Sequence, residues 1–312
     1  MIASLLGLFL RAFVVLSGTA LLTFALLWFA PGDPAQAIAM ARYDAIVTEE
    51  IVDLVRKEAG LDVGFWPAFL SWVGPLVLLD FGNSSVTGRD VWPDMLAAVY
   101  YTVPLALAGL FIGLAIALPL AVLATKQPGG LLDRCAVALA SLGAAVPAYW
   151  LGLLLILLFA VQLGWLPAIG ARTPAHAVLP ALTLGLGVAS SLTRIIRSGI
   201  LEARGQPFLP AIRRRGVADR KISRDHVAPH AAIPVVTVFG LELAFLLEGA
   251  VMVEVIFGRP GLGTFLVTAI ESRDFPQVQA VVILTALLFV VVNLLIDLIY
   301  RAIDPRIGER NA

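Results

Sequence analysis

Runs of about twenty apolar residues without a charge constrain this chain more than any other feature, because a bilayer core of roughly 30 Å is crossed by about that length of helix. They lie at approximately 12–30, 102–124, 136–163, 177–193, 231–253 and 278–296. Lipid offers no partner to a backbone N–H or C=O, so a run that crosses it must be helical. The expected fold class is therefore all-α, a polytopic membrane protein with about six transmembrane helices. The fifth run carries Glu242 and Glu248, and the fourth is short with Gly185 and Gly187. Composition agrees: 60% of the 312 residues are hydrophobic and 14% charged, with a mean hydropathy of +0.93, above that of ordinary soluble domains.

The first run is followed by Ala35-Gln36-Ala37, which resembles a signal cleavage site. A signal core spans only about 7 to 15 residues, and five more runs follow here, so the first is expected to stay as a helix. Net charge is zero, which gives no reason to invoke nucleic acid. The lone Cys135 cannot form an internal disulfide.

Lysine and arginine set the orientation. With the N-terminus inside, fifteen of the 22 basic residues fall on the inner side, nine of them between Arg194 and Arg224. Both termini are expected in the cytoplasm. Residues 1–30 then form the first span, 31–99 an extracytoplasmic segment, and 100–312 the transmembrane core with a cytoplasmic loop at 194–230. The outer segment is net acidic. Thr48 is a candidate N-cap for a helix with Ile51, Leu54, Val55 and Ala59 on one face and Gly60 at its end. Phe65 to Leu79, rich in aromatic residues but interrupted by Pro67, Gly74 and Pro75, reads as an interfacial helix.

Within the basic loop, Pro210-Ala211-Ile212-Arg213-Arg214-Arg215-Gly216 has proline at a possible first helical position, arginines at the negative end and glycine where a left-handed cap belongs. A second helix is expected from Asp219. Two short helices joined at Gly216 would make a knob for a partner's groove. The alternative is a basic loop that touches only anionic lipid.

This loop resembles the coupling segment of binding-protein-dependent ABC importer permeases, where an alanine-rich turn ends in glycine and Ile/Leu-Pro follows, here Gly216 and Ile233-Pro234. His226, ten residues past the glycine, matches the dipeptide, oligopeptide and nickel branch. The likeness continues through Ala30-Pro31-Gly32-Asp33-Pro34, Gly60-Leu61-Asp62, Asp80-Phe81-Gly82, Gly164-Trp165-Leu166-Pro167, Leu179-Pro180-Ala181, Glu254, Pro260-Gly261-Leu262-Gly263, Arg273-Asp274-Phe275-Pro276 and Asp304-Pro305-Arg306. Gly258-Arg259 stands where Ala-Trp is common, and Pro207, Pro210, Ile212 and Arg214 depart from the usual coupling segment. The resemblance implies a type I importer permease fold in the inner membrane. It also implies a second homologous permease subunit, two cytoplasmic ATP-binding subunits that dock on Ala211–Gly216 and His226, and an extracytoplasmic solute-binding protein. Short peptides are the expected cargo, with nickel or a metal chelate as the alternative.

No lysine follows a glycine, so the Gly-Lys-Ser/Thr of a phosphate loop is missing and ATP hydrolysis is expected on partner subunits. No catalytic residue and no cofactor are expected. His226 and His230 have helical metal-ligand spacing, but Pro229 lies between them and the HExxH glutamate is missing, so a structural hydrogen bond is expected for His226. His176 reads as an isolated interfacial residue. A secondary transporter would be expected to show an internal repeat, and a membrane enzyme a nucleophile or metal constellation; neither is evident. Charges at membrane depth face a cavity or a partner, which makes Glu242 and Glu248 candidates for lining a pathway, with intrahelical or interhelical hydrogen bonding as the alternative. Glu254 is expected to have a structural role. Gly109 and Gly113, extended by Ala106 and Ala117, call for close helix contact, either within this subunit or across a dimer. A reporter active only outside the cytoplasm, fused after Ala312, is expected to give no signal, and a strong signal would invert the topology.

Overall fold

A computed structural model describes residues 2–43 and 47–303, with side chains placed for most of them. Thirteen helices follow one another among the described residues, and the one β contact is an isolated bridge between Asn83 and Asp90. They form two compact units, Met1–Thr102 with Pro260–Val290, and Val103–Arg259 with Val291–Ala312.

In the first unit, α1 (Ile2–Trp28) is the first apolar helix. The helix α4 (Phe65–Leu76) packs on it through an aromatic cluster in which Phe24 meets Phe65, Phe69 and Trp72 at ring separations of 5.4, 5.4 and 5.5 Å. At 12 residues, about 18 Å, α4 is too short to span. Between them, α2 (Pro34–Tyr43) and α3 (Glu49–Glu58) enclose Ala35, Ile38, Ala39 and Val55. The sequence reading overlooked α2, although Asp33-Pro34 is a start signal: Asp33 Oδ1 accepts the Ala35 N–H at 3.0 Å and Pro34 occupies the first position. In α3 the buried face is narrower than expected, for Val55 is buried while Leu54 and Ala59 are exposed. The Thr48 side chain makes no cap bond; its carbonyl accepts the Ile51 and Val52 N–H groups instead.

A second core in this unit gathers Phe81, Val91, Met95, Ala98, Leu262 and Leu284. It joins the N-terminal turns of α5 (Val91–Ala124), the short α12 (Leu262–Glu271) and the start of α13 (Phe275–Ile303). The Leu262 N–H donates to Thr102 Oγ1 at 2.8 Å.

The second unit is centred on α8 (Val178–Arg204), the most buried helix, against which α6 (Leu131–Ala145), α7 (Ala148–Leu155) and α11 (Ala228–Ile256) pack. The GxxxG of α5 lies on the same hub. A Cβ on Gly109 would come within 2.8 Å of Leu184, one on Gly113 within 2.5 Å of Val188 Cγ1, and one on Gly185 within 2.6 Å of Ile112. The close contact is therefore made within this chain, one of the two possibilities the motif left open.

The third apolar run is not one straight rod. Val146-Pro147 breaks it, since proline lacks the N–H and crowds the preceding turn, and α6 and the stretch from Ala148 to Gln162 meet at 100°. The latter ends in a π-helical turn, Ile156–Gln162. The fifth run bends by 43° ahead of Pro234. Among the described residues four helices are long and apolar enough to cross a membrane, and up to six if each bent pair is one span. The fourth span reaches further than the apolar run suggested: α8 continues through Arg194, Arg197 and Arg204 before Gly205 ends it. Replacing Gly113 by leucine is expected to cost about 1–3 kcal/mol through overpacking, read as a lower unfolding temperature in detergent. At Gly187 an added Cβ would meet no atom within 4 Å, and Gly187→Ala is expected to leave that temperature unchanged.

Candidate functional site

Between α8 and α11 the basic segment folds into a knob with its own small core. The first helix, α9 (Phe208–Arg214), begins two residues earlier than expected, so that Pro207 is its N-cap and Pro210 its third residue rather than its first. Both prolines sit where a helix leaves its N–H groups without internal partners, which is why neither breaks it. At the other end Gly216 has φ +77°, and its N–H bonds to the Arg213 carbonyl at 2.9 Å. No atom lies within 4 Å of where a Cβ would stand, so the demand for glycine is conformational and not steric. The second helix, α10 (Asp219–Ile222), starts where expected and runs through a π-helical turn, Ser223–Val227, directly into α11.

Leu209, Ile222 and Val227 are buried together with Ala203 from the last turn of α8, and Ile200, Ile212 and Val217 pack around them. Ala211, Arg213, Arg214 and Arg215 face solvent, with Arg213 Nε 3.2 Å from Asp219 Oδ1. The outer surface of the knob is thus basic, and its shape is fixed from within. His226 lies in the π turn, half-buried, with its ring 6.2 Å from that of Phe208. Its expected structural bond is made by the backbone: the His226 carbonyl accepts from His230 Nδ1 at 2.8 Å, and the His230 ring also lies near Phe208, at 5.6 Å. Phe208, which the sequence reading passed over, anchors both histidines.

Two further contacts tie this end of α8 to its neighbours. Asp133 on α6 receives Arg197 in a bidentate pair at 2.5 and 2.7 Å, and the Gly129 N–H at 2.8 Å. Arg204 donates to the Thr125 carbonyl just past the end of α5. Neither pairing shows in sequence, because the partners are 64 and 79 residues apart. The one sign was an acid at the start of an apolar helix.

Of the acids in the fifth span, Glu242 is half-buried on α11 and has Ser191 of α8 as its polar partner. The Glu248 side chain lies outside the described residues, as does Asp304-Pro305-Arg306. Glu254 is fully buried in the last turn of α11, where its carbonyl accepts the Arg259 N–H at 2.8 Å. Arg259 in turn donates to the His176 carbonyl at 3.3 Å. His176 is not isolated: its Nδ1 accepts the Thr173 N–H at 3.3 Å and lies 2.8 Å from Thr173 Oγ1, closing a capping box on the 3-10 turn Pro174–Ala177. Among the described residues no three His, Cys, Asp or Glu side chains cluster as metal ligands would.

Residues 113–309 match the model of the family described as binding-protein-dependent transport system inner membrane component. The chain is similar to the glutathione transport system permease protein GsiC of Escherichia coli (strain K12), 36% identical over 310 residues, covering 98% of this chain and 97% of that one. It is 37% identical over 292 residues to the protein of the same name from Salmonella typhimurium (strain LT2), covering 92% and 93%. Among solved structures, an inward-facing conformation of the MetNI methionine ABC transporter aligns with a TM-score of 0.56 at 23% identity, over 67% of this chain and 96% of that one. An amino acid ABC transporter aligns with a TM-score of 0.55 at 19% identity, over 67% and 94%. Both show a shared fold. Reversing Asp133 to arginine is expected to lower the unfolding temperature, and adding Arg197→Asp to restore part of the loss. Equal stability of the single and double variants would remove the clamp.

Proposed function

The chain belongs to the binding-protein-dependent transport system inner membrane components, the membrane-spanning subunits of ABC importers, and from that premise we propose that it carries short peptides inward across the inner membrane. The observation that carries this reading is identity along nearly the full length to permeases named for glutathione, itself a tripeptide. The chain is not an enzyme; in this family ATP hydrolysis sits on partner subunits.

In the proposed mechanism a second, homologous permease completes the path and both termini face the cytoplasm. Two ATP-binding subunits receive the knob formed by Ala211–Gly216 and flanked by His226, and a solute-binding protein delivers cargo from outside. Closure of the ATPase pair displaces the knob and switches the cavity between inward and outward access. The rigid core of Leu209, Ile222 and Val227 supports this role, since a floppy loop would absorb the motion. Glu242 is proposed to line the pathway beside Ser191, and Glu248, six residues further along α11, is proposed with it.

Uptake of a radiolabelled tripeptide into proteoliposomes holding the full set of subunits tests the cargo; failure to accumulate it in the presence of ATP removes the peptide reading. The knob is tested with Gly216. A left-handed backbone costs an L-residue about 1–2 kcal/mol and a β-branched one more, while asparagine tolerates it. Gly216→Val is expected to lose both transport and co-purification of the ATPases, and Gly216→Asn to retain most of each. If instead the loop only touches anionic lipid, changing Arg213, Arg214 and Arg215 together to glutamine is the more damaging change and Gly216→Val is silent.

A further inference from the structure

We propose that a cavity in the unit formed by Met1–Thr102 and Pro260–Val290 is a binding station for the free amino end of a short peptide. The proposal rests on the import reading above, and on the orientation that puts the N-terminal end of α5 outside. The cavity measures about 520 Å³, within the range of roughly 300–1,000 Å³ typical of small-ligand sites. The first turns of α5 contribute Asp94 and Tyr101, α12 contributes Thr264, and the start of α13 with the residue before it contributes Gln277 and Asp274.

Two polar side chains line this wall. The Gln277 residue is 8% exposed. Thr264 Oγ1 is buried and, among the described residues, has no hydrogen-bond partner. Buried polar groups are nearly always bonded, and leaving them unmade is costly. A carboxamide offers donors and an acceptor on one plane, which matches the C=O and N–H of a peptide unit. Neither group is needed to hold the fold there, because Asp274 already does so. Its carboxylate accepts from Ser84 Oγ and, at 3.1 Å, from the Ser85 N–H, pinning the loop that forms one side of the cavity.

Charge selects which end of a peptide enters. Asp94 and Asp274 set two carboxylates against one guanidinium, Arg89, whose Nη2 lies 3.1 Å from Asp94 Oδ2 at the solvent-facing lip. Asp274 has two of about four acceptor positions in use. The surplus negative charge favours an ammonium group, while the Tyr101 ring offers an apolar wall for a side chain. Contacts to backbone and terminus, and not to particular side chains, would make the station tolerant of sequence.

The test uses the full-length chain in lipid nanodiscs, titrated calorimetrically with trialanine and with N-acetyl-trialanine. Wild type is expected to bind trialanine saturably and the acetylated form about tenfold more weakly. Gln277→Leu and Thr264→Val should each weaken both probes by about tenfold, the range of a lost buried hydrogen bond. Asp94→Asn should weaken trialanine alone. Unchanged melting temperature is the fold control, and if Gln277→Leu fails it, Thr264→Val and Asp94→Asn decide the matter. No saturable binding to wild type, or affinities in the folded variants equal to wild type, overturns the station whatever uptake shows. Absence of peptide uptake by the complete transporter refutes the import reading on its own, because the titration does not depend on transport.

Discussion

The approach of α5 to α8 at Gly109, Gly113 and Gly185 is the contact on which the second unit depends. Lipid tails are as apolar as leucine, so helices in a bilayer gain little from hiding apolar surface and hold together by packing at short range. Removing three side chains lets two backbones come close enough for that packing. The remaining neighbours of α8 then find their places: α6 through Gly143 against Ser190, and α11 where Gly199 faces the Ala231 carbonyl.

Polar side chains survive beside this contact because each is answered nearby. Thr183, Ser190 and Thr193 return their hydroxyls to carbonyls one turn back on α8, at 2.9, 2.9 and 2.6 Å. Asp133 and Arg197 cancel one another with good geometry and an added backbone donor, the condition under which a poorly solvated pair is tolerated.

Much of this was legible because the bilayer simplifies the problem: length without charge means a spanning helix. The knob could be read from Gly216 and Asp219 because left-handed caps and helix starts are local. What escaped was long-range or geometric. Periodicity cannot say that Val55 and not Leu54 finds a neighbour, since that depends on where α2 lies. A proline inside an apolar run can break a helix, but the bend of 100° at Pro147 depends on what the two legs pack against. The Phe208 anchor looked like an ordinary aromatic residue until the turn after α10 brought both His226 and His230 against it. The cavity by Gln277 joins segments nearly two hundred residues apart, and no local pattern announces it.

The core beneath Gly216 takes Ala203 from the end of α8 and Val227 from just before α11, so the knob is rooted in two antiparallel helices at once. A load applied to its tip cannot be delivered to one of them alone. It divides between both roots, and any tilt it produces turns the pair as a single lever whose stiffness is set by how well Leu209 and Ile222 fill the space between.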